Sequence, residues 1–141
     1  MKAATYLRIA SVLTFIHAVL HTIGGVFGKP MPGVAREAFT VMQSHHFVVM
    51  GVNRTYAAFY VGLGLGATIF MTAEAILLWQ LAGLVPLVGR RLRPLLWVLL
   101  VSWLAMAVNS WAYFFMGPVV AEILIAACLG GAIYAARPAA Q

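Results

Sequence analysis

Four long apolar runs make up most of the chain, and they limit what it can fold into. They cover about residues 6–27, 56–81, 94–116 and 119–134. A helix needs roughly 20 predominantly apolar residues to cross a bilayer. A soluble domain carries about 25% charged residues, whereas this chain has 9%. The sequence therefore predicts an all-α membrane protein, a single domain over residues 1–141 folded as a four-helix transmembrane bundle.

The connection between the first two runs is long enough to hold structure of its own. A Lys-Pro-Met-Pro-Gly sequence at 29–33 ends the first helix, because proline lacks a backbone donor. From about 34 to 50, apolar residues such as Ala38, Val41 and Met42 recur on one helical face. This stretch is too short to span a bilayer, and the pattern predicts an amphipathic interfacial or re-entrant helix.

The later runs carry their own signals. Glycine and arginines over 83–94 predict a loop, and Gly117-Pro118 predicts a tight turn between the last two spans. One face of the third run is small or polar throughout, and we predict that this face points into the bundle. It carries Ser102, Ala105, Asn109 and Ala112.

Basic residues at the ends of the apolar runs predict the orientation of the chain. The net charge is +6, and this placement explains it without a nucleic-acid partner. Six of the 9 basic residues belong to the N-terminus, the second loop and the C-terminus, which carry no acid. They are Lys2, Arg8, Arg90, Arg91, Arg93 and Arg137. The positive-inside rule places both termini of this multi-pass protein in the cytoplasm.

Two histidines, His17 and His21, lie in the middle of the first apolar run. On a helix, a spacing of four puts both rings on one face. An ionisable group at membrane depth is costly, so it marks a functional site facing other helices. The same face continues through small or polar residues at steps of three or four: Ala10, Thr14, Gly24 and Gly28.

The depth of each residue in the membrane follows from the helical rise of about 1.5 Å per residue along its span. Counted in this way, polar groups from other spans lie at the same outer level as the two histidines. Asn109 in the third run and Glu122 in the fourth both fall in the outer third. We therefore predict that His17, His21, Asn109 and Glu122 converge on one pocket.

Further ligand-binding candidates surround that level. Arg54, His45 and His46 lie just above it, in the connection between the first two spans. Trp111 belongs to an aromatic belt at the interface. Glu74 falls in the inner half of the membrane, where it forms a second polar point or pairs with a cytoplasmic arginine.

These residues fit a pocket that binds a lipophilic small molecule, with apolar walls and a few convergent polar groups. His17, His21 and Glu122 would then carry proton transfer, as isomerisation or a proton relay. Asn109 would orient the ligand, and His45 with His46 would gate its entry.

Two alternatives stay open from the sequence. His17 and His21 could bind a metal ion together with Glu122 or His45, since imidazole suits several transition metals. A haem would need His45 or His46 on its opposite face, or each of the two histidines would bind its own haem. A structural subunit without chemistry could instead use its glycine-rich helix faces for packing or homo-oligomerisation, among them the pair Gly62/Gly66.

The patterns HxxxHxxGG, MQSHHF and NRTYAAFYVGLGLG, with an aromatic-Gly-Pro turn near the end, together resemble a group of small four-span bacterial membrane proteins. The resemblance implies a location in the bacterial inner membrane and no particular activity. The chain is also loosely similar to DoxX-like proteins and to the emopamil-binding sterol isomerases. In the latter, intramembrane acid, amide and indole groups serve a lipophilic ligand, a comparison invited by Glu74, Asn109 and Trp111.

Overall fold

The computed structural model describes residues 2–136 and is mostly helical. Its elements in chain order are α1 Lys2–Leu20, which continues as a π-helix over His21–Val26, α2 Val34–Ser44, strands β1 His46–Val49 and β2 Val52–Thr55, α3 Tyr56–Val88, a 3₁₀ turn Gly89–Leu92, α4 Arg93–Tyr113, and α5 Met116–Ala135. Arg137, which contributed to the predicted orientation, lies outside the described residues.

Within residues 2–136, three helical segments are long and apolar enough to cross a membrane. They are Lys2–Val26, Tyr56–Tyr113 and Met116–Ala135. The middle segment has 58 residues and contains α3 and α4, separated by the 3₁₀ turn. The prediction of a helical chain suited to a membrane is therefore confirmed.

The chain divides into two compact units. The terminal unit comprises the residues up to His17 together with those from Met71 onward, and the central unit comprises Ala18–Phe70. The boundaries fall within α1 and within α3, so both helices contribute residues to both units.

The core of the terminal unit is formed by one buried face of each of its helices. Leu7 of α1, Leu78 of α3, Leu96 of α4 and Leu129 of α5 belong to this core, and each is at most 1% exposed. Ala10 is also fully buried, at the start of the small and polar face predicted to point inward on α1.

The buried face of α4 is not the predicted one. Ser102, Ala105, Asn109 and Ala112 are exposed, and the buried residues are Leu96, Trp103, Ala107 and Ser110. These buried positions recur at steps of seven, four and three along the helix, so they form one stripe. This stripe contains a leucine and a tryptophan as well as two small residues. The prediction selected a face of small or polar residues only, and it was wrong because large side chains also pack between helices.

Two boundaries differ from the predicted loops. α3 continues to Val88 through the first half of the predicted loop, with Pro86 inside it. It is followed by Gly89 at φ +52°, a left-handed conformation that glycine adopts without strain at helix ends. The turn between α4 and α5 lies at Phe114 and Phe115 and not at Gly117-Pro118 as predicted. Pro118 belongs to the first turn of α5, where a proline is well accommodated.

The predicted amphipathic helix over 34–50 is present over 34–44 and wrong over 45–50. α2 ends at Ser44, and β1 and β2 form an antiparallel hairpin in which Val49 pairs with Val52. Met50 and Gly51 have φ angles of +49° and +79°, the left-handed conformations typical of two-residue hairpin turns. The β-branched residues before and after this turn favour strands over a helix.

Helix packing in the central unit uses a different glycine from the predicted pair. A Cβ atom built at Gly62 or Gly66 meets nothing within 4 Å, whereas one at Gly64 lies 2.8 Å from Val26 Cγ2. Gly64 of α3 is therefore where the backbone needs the absence of a side chain. Homo-oligomerisation through the open glycine faces stays a prediction.

Candidate functional site

The most deeply buried ionisable group of the terminal unit is Glu122 on α5, with 1% of its surface exposed. The hydroxyl of Ser110 on α4 donates a hydrogen bond to Glu122 Oε1 over 2.8 Å. His17 Nε2 on α1 lies 3.9 Å from the same oxygen, with 12% of the His17 side chain exposed. This distance is too long for a hydrogen bond but close enough for an ion pair when the imidazole is protonated.

Local structure explains how these three residues meet. α4 and α5 are joined by a short turn and run back along each other. Ser110 lies one turn before that connection and Glu122 about two turns after it. His17 follows Thr14 on the same buried face of α1, since positions three apart are neighbours on a helix. His17 and Glu122, two of the four residues predicted to converge, therefore lie close together.

Two buried oxygen atoms at these residues have no hydrogen-bond partner among the described residues. They are Glu122 Oε2 and Thr14 Oγ1. Thr14 is fully buried. Buried polar atoms nearly always have a partner, and an exception in a native structure needs an explanation. A polar atom supplied by a bound molecule is one such explanation.

A second acid connects to the same residues through an indole. Trp103 Nε1 donates a hydrogen bond to Glu74 Oε1 over 2.6 Å. The ring of Trp103 is 3% exposed and contacts His17 edge to face, with the ring centroids 6.2 Å apart and an interplanar angle of 71°. Glu74, Trp103, His17, Glu122 and Ser110 therefore form one chain of contacts, which we call the polar chain.

The polar chain changes the interpretation of Glu74. The two sequence-based alternatives were a separate polar point and a pairing with a cytoplasmic arginine. In the structure the carboxylate of Glu74 accepts a hydrogen bond from Trp103. Next to Glu74 on α3, the Ala75 carbonyl accepts a hydrogen bond from Ser11 Oγ of α1 over 2.7 Å.

Sequence reasoning missed Trp103 and Ser110 as site residues. Both lie on the buried stripe of α4, seven positions apart, and a heptad spacing is the signal that could have grouped them. The sequence alone gives the indole of Trp103 no role, because its N–H group is useful inside a helix bundle only when an acceptor such as Glu74 faces it.

His21 belongs to the central unit. Its Nε2 lies 3.1 Å from the carbonyl oxygen of Gly64. A carbonyl oxygen can only accept, so Nε2 carries the proton and donates. Beside it, the hydroxyls of Thr22 and Thr68 are 2.9 Å apart, and Thr68 donates to the Gly64 carbonyl over 3.2 Å. His21 thus ties the π-helix to α3.

The remaining predicted ligand-binding residues are all exposed. Asn109 and Trp111 are exposed, which corrects the prediction that Asn109 faces the pocket. Arg54 donates to the carbonyl of its neighbour Asn53 over 2.9 Å. His45 and His46 are exposed, and their Nδ1 atoms lie 3.0 Å from the Val41 carbonyl and 3.2 Å from the Ser44 carbonyl, respectively.

A resident metal ion does not fit the described residues. Between residues 2 and 136, no three His, Cys, Asp or Glu side chains are grouped as a metal ion would require. His17 and Glu122 supply two ligands at most. Nε2 of His21 donates to a carbonyl, so Nδ1 is the nitrogen of this ring that keeps a lone pair.

Comparisons with protein-family models, curated proteins and solved structures found no match.

Proposed function

We propose that the chain is an integral protein of a bacterial inner membrane with four spans and both termini in the cytoplasm. The spans are α1 with its π-helix, α3, α4 and α5. α3 has 33 residues, α4 has 21 and α5 has 20, lengths that suffice for the roughly 30 Å of hydrocarbon at 1.5 Å per residue. The excess of basic residues at both ends of the chain and near Gly89–Leu92 supports the orientation.

The polar chain is the functional site of this proposal. It binds the polar group of a lipophilic small molecule that enters from the bilayer, and it exchanges a proton with that molecule. The observation that carries the proposal is Glu122: its carboxyl group is 1% exposed, one oxygen accepts from Ser110, and the other has no partner among the described residues. A ligand hydroxyl or amine would donate to that second oxygen.

The chemistry follows from the two residues that share the site. His17 and Glu122 hold one exchangeable proton between them, because an ionised acid at this depth is stabilised by a protonated imidazole nearby. Either group can take a proton from the ligand and return it at another atom. Such a transfer is an isomerisation that needs no oxidant, reductant or cofactor. Ser110 holds the carboxyl group in place, and Trp103 packs against the imidazole.

The test is to purify the full chain in a mild detergent and to identify the lipophilic compounds that accompany it by mass spectrometry. We expect one compound to accompany wild type and Glu37→Gln, whose changed residue is exposed on α2. Glu122→Gln should retain about tenfold less of it or lower, since a hydrogen bond to a charged group contributes roughly 1.5–3 kcal/mol. Equal retention by Glu122→Gln would contradict the proposal.

Proton exchange has its own readout. The compound, incubated with the protein in D₂O, should gain deuterium at one position, and His17→Gln should abolish this gain while Glu37→Gln leaves it intact. Elemental analysis of the same samples tests the metal alternative. A stoichiometric metal ion that is lost in His17→Ala would replace the present proposal.

A further inference from the structure

The central unit contains a groove that the proposed site does not use. It has a volume of about 320 Å³ and lies between the end of the π-helix, α2 and the start of α3. One wall is backbone without side chains, at Gly24, Gly25 and Gly28. The groove therefore combines a smooth wall with the apolar side chains of the facing helix.

The facing wall is the stripe of α2 formed by Ala35, Ala38, Phe39 and Met42. These residues stand at positions i, i+3, i+4 and i+7, the spacing of one apolar helix face. No residue of α2 is buried, although Phe39 and Met42 are partly covered. The apolar face of α2 is directed at the groove and lacks the partner that an amphipathic helix normally has.

The groove also has a polar rim, and its charge is positive. Lys29 lines it, and no acidic residue does. Among the described residues, Lys29 forms no ion pair. The hydroxyl of Tyr60 lies on the other side, where it donates to the Gly25 carbonyl over 3.4 Å. A groove that offers one apolar helix face and an ammonium group fits an acyl chain attached to an anionic headgroup.

We propose that this groove binds one acyl chain of an anionic phospholipid, with the phosphate on Lys29. The inference depends on the proposed membrane location of the chain and is independent of the His17–Glu122 site. Anionic phospholipid is the occupant that matches both parts of the groove, because a zwitterionic lipid supplies the chain without the net charge. α2 and its hairpin then lie on the lipid surface, held there by the bound molecule.

The experiment reconstitutes the full chain into phosphatidylcholine vesicles that contain a trace of phospholipid with a photoreactive acyl chain. The headgroup of this probe is phosphatidylglycerol in one arm and phosphatidylcholine in the other. Labelled peptides are mapped by mass spectrometry. We expect labelling around Gly24 and Ala38 by the anionic probe to exceed that by the zwitterionic probe about fivefold, the effect of one basic residue near a lipid surface. The exposed lipid-facing residues Ile123 and Leu124 should show no such preference.

Two variants separate the charge from the apolar groove. Lys29→Gln should remove the preference for the anionic probe, whereas Arg36→Gln, an exposed residue of α2 outside this groove, should keep it. Gly24→Leu should fill the groove and reduce labelling by both probes. A Cβ at Gly24 meets nothing within 4 Å, so this change causes no clash. Gly62→Leu, which is equally open and lies outside the groove, is the matched control.

The outcomes distinguish this inference from the proposed function. Insertion into vesicles with equal labelling by both probes, or with no effect of Gly24→Leu, would overturn the lipid groove and leave the polar chain untouched. Failure of the chain to float with the vesicles would overturn the membrane location, and both proposals with it. A specific compound lost only in Glu122→Gln, without labelling of the groove, would refute the groove alone.

Discussion

Trp103 Nε1 on α4 donates a hydrogen bond to Glu74 Oε1 on α3 over 2.6 Å. In the proposed membrane location, water does not compete for either group. The indole is nearly fully buried, so its N–H group needs an acceptor, and the carboxylate needs a donor. The hydrogen bond therefore satisfies both the indole N–H group and the carboxylate.

Trp103→Phe should destabilise the protein by about 1–2 kcal/mol, because it keeps an aromatic ring but leaves Glu74 without its donor. The free energy of unfolding, measured in a mixed-detergent titration, checks this expectation. Trp97→Phe on the same helix is the control, since Trp97 is 53% exposed. An equal effect of the two changes would mean that the hydrogen bond contributes nothing.

Ser110→Ala should lower stability by about 1–2 kcal/mol, because it removes the hydroxyl that donates to Glu122 Oε1 inside the protein. It should also weaken retention of the lipophilic compound, since the carboxyl group loses its orientation. Ser102→Ala offers a close control: that hydroxyl donates to the Val98 carbonyl on the exposed face of the same helix. The prediction fails if the two serine variants unfold alike.

Gly64→Ala should destabilise the central unit by about 1–3 kcal/mol, the usual cost of overpacking. The added methyl group would approach Val26 Cγ2 to 2.8 Å, and Val26 is buried and β-branched, so it has little freedom to move. Gly62→Ala should instead be neutral or slightly stabilising, because its Cβ meets no atom within 4 Å and alanine favours helices. Proteolysis rates of the two variants, compared with wild type, report the difference.

Met50→Asn should stabilise the hairpin by about 0.4–1 kcal/mol, because asparagine tolerates the left-handed φ that Met50 adopts. Met50 is 98% exposed, so little packing is lost. Gly51→Ala should act in the opposite direction, since its φ of +79° is strained for alanine. Amide hydrogen exchange of the peptide that spans β1 and β2 should slow in the first variant and quicken in the second.

The proposed orientation predicts which side of the membrane each connection occupies. In Cys128→Ser, a cysteine introduced at Met31 should react with a membrane-impermeant maleimide added to intact cells, and one introduced at Arg91 should not. Both positions are exposed, so access to the reagent depends on the side of the membrane. Labelling at Arg91 without labelling at Met31 would reverse the orientation.

Hydropathy and charge predicted the helices because a long apolar run in a bilayer must satisfy its backbone hydrogen bonds within itself, as an α-helix does. They also predicted that His17 and Glu122 share a site, since ionisable groups at similar depth tend to face other helices. Hydropathy and charge do not predict the buried face of α4. Asn109 and Ser110 are adjacent and both are polar, so only side-chain packing decides which of them is buried. Ser110 lies seven positions after Trp103, on the face that buries this large side chain.

The hairpin and the π-helix escaped prediction for a different reason. Residues 46–49 are apolar enough for either a helix face or a strand, and the outcome depends on two left-handed residues at the turn, Met50 and Gly51. The face counted from Thr14 to Gly28 assumes 3.6 residues per turn throughout, whereas the turn over His21–Val26 is wider. Positions beyond His21 therefore fall out of phase with those before it.

For an alignment of related chains, a π-turn counts as one surplus residue, because its hydrogen bonds run from i to i+5 where those of an α-helix run from i to i+4. The stretch His21–Val26 is such a turn. Loss of one residue there would restore ordinary helical hydrogen bonding while the flanking faces kept their directions, a tolerance that the rest of this helix does not share. A relative of this chain that is one residue shorter should carry its gap in this turn, and an alignment that places the gap elsewhere would pair the wrong faces.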